Sequence, residues 1–200
     1  MEIRCSLPSD NITLEARYDK QPGDKAVVIT HPHPLMGGDM NNPVIDTIQK
    51  AYTDKGYATL RFNFRGTGRS GGSHDNGMGE TSDVIAAHSF LKKEGYATID
   101  LAGYSFGAYV NLNVASQHPI FSRVVLVSPP VDFMDFGDLS GVSSLYLVVT
   151  GAEDPYATPT HIKKLLKNWN KSAIFKEIYG SDHFYSGTMG ALDQCFNDYL

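Results

Sequence analysis

The chain predicts an α/β protein: a mostly parallel central sheet covered by helices on both faces, entered through antiparallel strands at the N-terminal side. Three observations carry this. Short continuous apolar runs recur along the 200 residues, segments with helical periodicity separate them, and only the first stretch alternates apolar with polar residues. Fully apolar runs suit strands buried on both faces, whereas strict alternation suits a strand with one face in water.

The alternating stretch comes first. Ile3 to Leu7 is followed by Ile12, Leu14 and Ala16 interleaved with Thr13, Glu15 and Arg17, which predicts a half-buried antiparallel pair. After the turn-like Gln21-Pro22-Gly23-Asp24, the apolar runs are Ala26 to Ile29, Ala58 to Phe62, Thr98 to Ala102, Val124 to Val127 and Leu145 to Val149, with a weaker one over 173–178. Ile45, Ile48 and Tyr52 share a helical face, as do Val84, Ala87 and Leu91, and Ile162, Leu165, Leu166 and Trp169. Thr158-Pro159 is the N-cap and first-turn proline of the last of these. Gly66 to Gly79 is rich in glycine, serine and asparagine and is expected to be a long loop above the strand ends.

With 42% apolar and 20% charged residues the composition is that of a folded protein, and the length predicts one domain over 1–200. A net charge of −5 offers no field for nucleic acid or an anionic membrane surface, so the expected partner is a small, uncharged-centre molecule. Cys5 and Cys195 stand outside any CxxC or Cys/His cluster and are expected to be free thiols. No apolar run reaches the roughly 18 residues that span a bilayer. Met1-Glu2-Ile3-Arg4 lacks the layout of a signal peptide, and the expected location is cytoplasmic.

The chemistry concentrates at Gly103-Tyr104-Ser105-Phe106-Gly107, between the run ending at Ala102 and the helical-looking Ala108 to Ala115. Glycine two positions before and after a serine, in a strand-to-helix turn, is the signature of a nucleophile on a strained elbow. A Cβ at either glycine would collide with neighbouring backbone, and the following helix points its N-terminal dipole at the serine. A serine hydroxyl needs a base within hydrogen-bond reach and an acid to orient that base. In the order serine, acid, histidine, His183 of Gly180-Ser181-Asp182-His183-Phe184 lies after the last strand, whereas His118 and His161 lie on or beside helices. Asp154, directly after the strongest late strand, is the expected acid. Asp132, Glu153 and Asp182 remain rivals.

An oxyanion would need two N–H donors. One is expected from Phe106, the other from the loop His31-Pro32-His33-Pro34-Leu35-Met36-Gly37-Gly38, in which the prolines have no N–H. His33, Leu35 and Met36 are the candidates and Leu35 is favoured. His31 and His33 have no third ligand at a recognisable spacing, so no metal is expected. Gly66-x-Gly68-x-x-Gly71 follows a strand but precedes more loop rather than a helix, which argues against a dinucleotide site, and no cofactor is expected.

These segments, together with Phe62-Asn63-Phe64-Arg65-Gly66-Thr67-Gly68-Arg69-Ser70 and Gly151 to Asp154, resemble the small lidless α/β-hydrolases related to dienelactone hydrolase, over nearly the whole chain. The resemblance implies an α/β-hydrolase fold with no cap domain, a Ser105-Asp154-His183 triad and esterase-like activity. Dienelactone hydrolase proper carries cysteine where this chain has Ser105. Lids in that superfamily usually follow the strand that here is Val124 to Val127, and residues 128–144 are too few for one. An open site suits short acyl groups or the exposed end of a larger molecule. The expected function is hydrolysis of small carboxylic esters through an acyl-enzyme. Thioesterase and peptidase or acyltransferase activities use the same residues, and a non-catalytic binding protein would keep the fold without turnover.

Overall fold

A computed structural model describes residues 2–200. Its sheet has eight strands in the spatial order β1-β2-β4-β3-β5-β6-β7-β8: β1 (Ile3–Ser9), β2 (Ile12–Asp19), β3 (Lys25–Thr30), β4 (Ala58–Phe62), β5 (Thr98–Tyr104), β6 (Val124–Val127), β7 (Leu145–Gly151) and β8 (Ile174–Ile178). The β1/β2 and β2/β4 pairs are antiparallel and all other pairs parallel. In the first hairpin Leu7 sits opposite Leu14 and Cys5 opposite Ala16, so the alternation places one apolar face on the core. Every residue of β4 and β6 is buried: β6 is an unbroken apolar run, and β4 buries Thr59 and Arg61 along with its apolar residues.

Five α-helices cover the sheet: α1 (Pro43–Asp54), α2 (Met78–Lys93), α3 (Phe106–Gln117), α4 (Pro159–Trp169) and α5 (Met189–Tyr199). Val84, Leu91, Val110, Leu112, Ile162 and Trp169 join the core on one face. Ile45, Ile48, Tyr52, Leu192 and Phe196 form a second core on the other. α1 begins with Pro43 behind Asn42, whose side chain accepts the Val44 N–H at 2.9 Å. Thr158 occupies the N-cap position of α4 but makes no side-chain cap bond; its own N–H donates to Asp132 Oδ2 at 2.8 Å. Expected as loop as far as Gly79, the stretch after β4 turns helical at Met78, because Glu80 reaches back to the Gly77 N–H.

The topology decides where a ligand binds. From β3 the chain crosses outward to β4, then returns past β3 to β5. The strand order therefore reverses between β3 and β5, and a crevice opens beyond their carboxyl ends. β3 leads into the His31–Gly38 loop and β5 into Ser105, so both singled-out segments reach the same edge.

Candidate active site

Ser105 stands between β5 and α3 with φ +54°, a left-handed conformation that a non-glycine residue adopts at a cost. The glycines around it make the turn feasible. A Cβ on Gly107 would lie 2.5 Å from the Thr30 carbonyl oxygen, and one on Gly103 would overlap Thr30 Oγ1, Asn111 Nδ2 and the Gly107 carbonyl carbon. The turn is tied down where Ser105 N–H donates to the Val127 carbonyl at 2.9 Å.

His183 Nε2 lies 3.0 Å from Ser105 Oγ, and His183 Nδ1 lies 2.8 and 2.9 Å from the two oxygens of Asp154. All three residues are buried. The Tyr104 hydroxyl donates to the His183 carbonyl at 2.9 Å, so the strand that precedes the serine also holds the histidine loop. Burial pushes the Asp154 carboxyl up. Hydrogen bonding and charge from His183, the Ser128 hydroxyl and the Tyr156 N–H outweigh it and hold the carboxyl below its usual range. Ala157 N–H adds a further bond to Oδ1 at 2.9 Å.

The rival carboxylates have other employment. Asp132 accepts the Thr158 N–H and pairs with His161 at 3.0 Å. Asp182 Oδ1 closes its own turn by accepting the N–H groups of Phe184 and Ser186. Glu153 is exposed. Ser128 and Tyr185, which the sequence reading did not single out, back the acid: both have positive φ, and their oxygens lie 2.9 Å apart.

Phe106 is the first residue of α3, so its N–H has no acceptor within the helix. Among the three candidates for a second donor, Leu35 N–H is turned to His33 Nδ1 at 3.3 Å and Met36 N–H to the His33 carbonyl at 3.0 Å. The favoured Leu35 is thus engaged, and it is absent from the cleft wall. The cause is the single 3-10 turn at Pro34–Met36, which folds these amides back onto His33. His33 N–H meets no acceptor among the described residues, and His33 does line the cleft. His31 is fully buried and committed to backbone, with Nδ1 2.7 Å from the Pro32 carbonyl and Nε2 accepting the Phe64 N–H at 2.9 Å.

A cleft of about 210 Å³ opens onto Ser105. Its walls are Met36, Phe133, Met134, Tyr156 and Phe184 with Pro32 and Pro130, and no Asp, Glu, Lys or Arg faces it. Met36 is 69%, Phe184 62% and Phe133 53% exposed, so the rim is apolar and open to solvent. Phe133 and Met134 come from the short link between β6 and β7, which supplies a wall and no cover. Among the described residues no group of three or more metal-ligating side chains converges, and no helix is long and apolar enough to cross a membrane. Gly66 to Gly71 closes on itself and on β2 through the Gly66 N–H to Gly71 carbonyl and Gly71 N–H to Thr13 carbonyl bonds.

Residues 26–145 match the model of the alpha/beta hydrolase fold. A protein of Rickettsia prowazekii (strain Madrid E) described as uncharacterized is 32% identical, with 94% of this chain and 84% of its own length covered. Among solved structures, an alpha-beta serine hydrolase homologue from Coxiella burnetii superposes with a TM-score of 0.92 at 33% identity, covering 99% of this chain and 97% of its own. XC6422 from Xanthomonas campestris, described as an a/b serine hydrolase without lid, follows at 0.89 and 27% identity, covering 98% and 92%.

Proposed function

Because the chain belongs to the α/β-hydrolase fold family, we propose that it is a serine hydrolase that cleaves small carboxylic esters through an acyl-enzyme on Ser105. The observation that carries this reading is the unbroken hydrogen-bonded line from Ser105 Oγ through His183 to Asp154. In the first half-reaction Ser105 Oγ attacks the ester carbonyl carbon while His183 Nε2 takes its proton. Asp154 keeps the imidazole oriented and stabilises the positive charge it acquires. The tetrahedral oxyanion accepts hydrogen bonds from the N–H of Phe106, at the N-terminal end of α3, and from the N–H of His33, in the loop after β3. Collapse breaks the C–O bond to the alcohol, which leaves with the proton from His183. Water then repeats the sequence, releasing the acid and restoring Ser105.

His33 replaces Leu35 as second donor, since its amide is the one of the three that is uncommitted and beside the cleft. The uncharged apolar walls favour an uncharged acyl group, and a cleft this small and open fits a short one.

Turnover of p-nitrophenyl acetate and butyrate by the native chain and by Ser105→Ala tests the reading. The native chain should hydrolyse both and the variant neither. Equal rates in the two proteins would sink it. A fluorophosphonate should add to Ser105 in the folded native chain, and a folded protein without adduct would support a binding role instead.

A further inference from the structure

The loop between β4 and α2 brings a second imidazole–carboxylate pair next to the site, on residues that the proposed mechanism does not use. His74 Nδ1 lies 2.8 Å from Glu80 Oε1, off the line of a well-formed hydrogen bond, with the two side chains 8% and 0% exposed. The Glu80 carboxylate also accepts the N–H groups of Asp75 and Gly77, each at 2.9 Å. One buried acid in the first turn of α2 therefore anchors the end of the loop and the imidazole it carries.

The His74 ring rests on two others. Its centroid is 4.9 Å from that of His33 and 5.2 Å from that of Phe106, while His33 and Phe106 are 4.9 Å apart. The three rings form a closed triangle. Two of its corners belong to the residues whose backbone N–H groups serve as oxyanion donors in the reading above. These residues come from separate segments, the loop after β3 and the start of α3, and no backbone hydrogen bond joins the one to the other among the described residues. The β3/β5 pairing that ends at Thr30 and Gly103 sets their coarse spacing. Beyond it the ring contacts are what join them, with His74 touching both. Burial lowers the His33 pKa, with the His74 charge acting in the same direction against Glu80. A neutral His33 is the state in which Nδ1 accepts the Leu35 N–H and keeps the turn closed.

We infer that His74, held in place by Glu80, is a positioning residue that sets the spacing of the two oxyanion donors through the His33 and Phe106 rings. The inference rests on the serine-hydrolase reading and predicts a selective effect. A donor is useful only within about 2.7–3.1 Å of the oxyanion, and loss of one costs about 10²–10³ in kcat. Ground-state binding depends chiefly on the Phe133, Met134, Tyr156 and Phe184 walls, none of which belongs to the ring triangle.

The test compares native protein, His74→Ala and His74→Phe in p-nitrophenyl butyrate kinetics, with thermal unfolding of each. His74→Ala should lower kcat at least about tenfold while KM stays within about twofold, the pattern of a lost transition-state contact. His74→Phe keeps a ring in the triangle and should recover kcat to within about threefold of native. If His74→Ala does not fold, Glu80→Gln, which loosens the anchor, should lower kcat about threefold or more at unchanged KM. Native kcat in the folded Ala variant or its Gln substitute, a loss carried by KM, or a Phe variant as slow as the Ala variant would each overturn the inference. Failure of the underlying reading looks different: Ser105→Ala would then turn over at the native rate, whatever the His74 variants do.

Discussion

Acidification is predicted to weaken the fold through His31. The ring has no exposed surface, and its two nitrogens are both engaged: Nδ1–H donates to the Pro32 carbonyl and Nε2 accepts the Phe64 N–H. A second proton would turn that acceptor into a donor facing a donor. Burial takes the pKa from 6.5 to about 4, against smaller opposing effects of the Pro32 carbonyl and Asp39. In the unfolded chain the same imidazole takes up its proton as pH falls through 6.5. Between these values the unfolded state binds more protons, so the contribution is complete above pH 6.5 and is lost as pH falls toward 4. At about 1.4 kcal/mol per pH unit the full loss is about 3 kcal/mol, a large part of the roughly 5–15 kcal/mol that holds a typical domain. Urea unfolding of the native chain and His31→Gln, followed by fluorescence of the buried Trp169 in steps between about pH 7.5 and 4.5, reads it directly. The native chain should lose about 2–3 kcal/mol more over this range than the variant. His33 and His88 are also lowered by burial, but both are present in each protein and cancel in the difference. Parallel pH profiles for the two proteins would refute the reasoning.

Three further outcomes follow from the site. Asp154→Asn should keep the fold but lower kcat about 10³–10⁴-fold, because the amide no longer stabilises the imidazolium; steady-state kinetics beside far-UV circular dichroism check both halves. Ser128→Ala removes a hydroxyl that helps hold the Asp154 carboxyl down and lies 2.9 Å from the Tyr185 oxygen, so the carboxyl should move up toward its ordinary range and kcat should fall about threefold to tenfold. Gly107→Ala puts a methyl group 2.5 Å from the Thr30 carbonyl oxygen and 2.7 Å from its carbon, which are backbone and give little. Scanning calorimetry should show Tm lowered by about 5–10 °C, the effect of about 2–3 kcal/mol of overpacking in a chain of this size.

Period and order were enough to read the sheet. The runs at Ala58 to Phe62 and Val124 to Val127 coincide with β4 and β6: Val124 to Val127 has no polar interruption, and in Ala58 to Phe62 the buried Thr59 and Arg61 interrupt the apolar run without ending the strand. The elbow was legible because close backbone approach excludes every residue but glycine at 103 and 107, and that constraint shows in one dimension. α5 was not read as a helix. It buries Leu192, Cys195 and Phe196 on a narrow stripe, and neither Thr188 nor a proline marks its start with a side-chain cap. Choosing among His33, Leu35 and Met36 was beyond the sequence, since all have an N–H and only the curl of the Pro34–Met36 turn decides which amides it consumes. The His74–Glu80 pair is separated by six positions across the loop-to-helix boundary, where neither the helical nor the strand period runs through both residues.

The short link between β6 and β7 carries a consequence for product composition. With Phe133 and Met134 forming a wall and no cover over the cleft mouth among the described residues, the acyl carbon proposed to form on Ser105 would be reached by solvent through an open cleft. Whichever nucleophile the solvent supplies can then intercept it, in proportion to concentration and intrinsic reactivity. In water the outcome is an acid. In water containing a small alcohol, the same uncovered intermediate should partition into a second ester, and the ratio of the two products would report how freely solvent reaches the carbon.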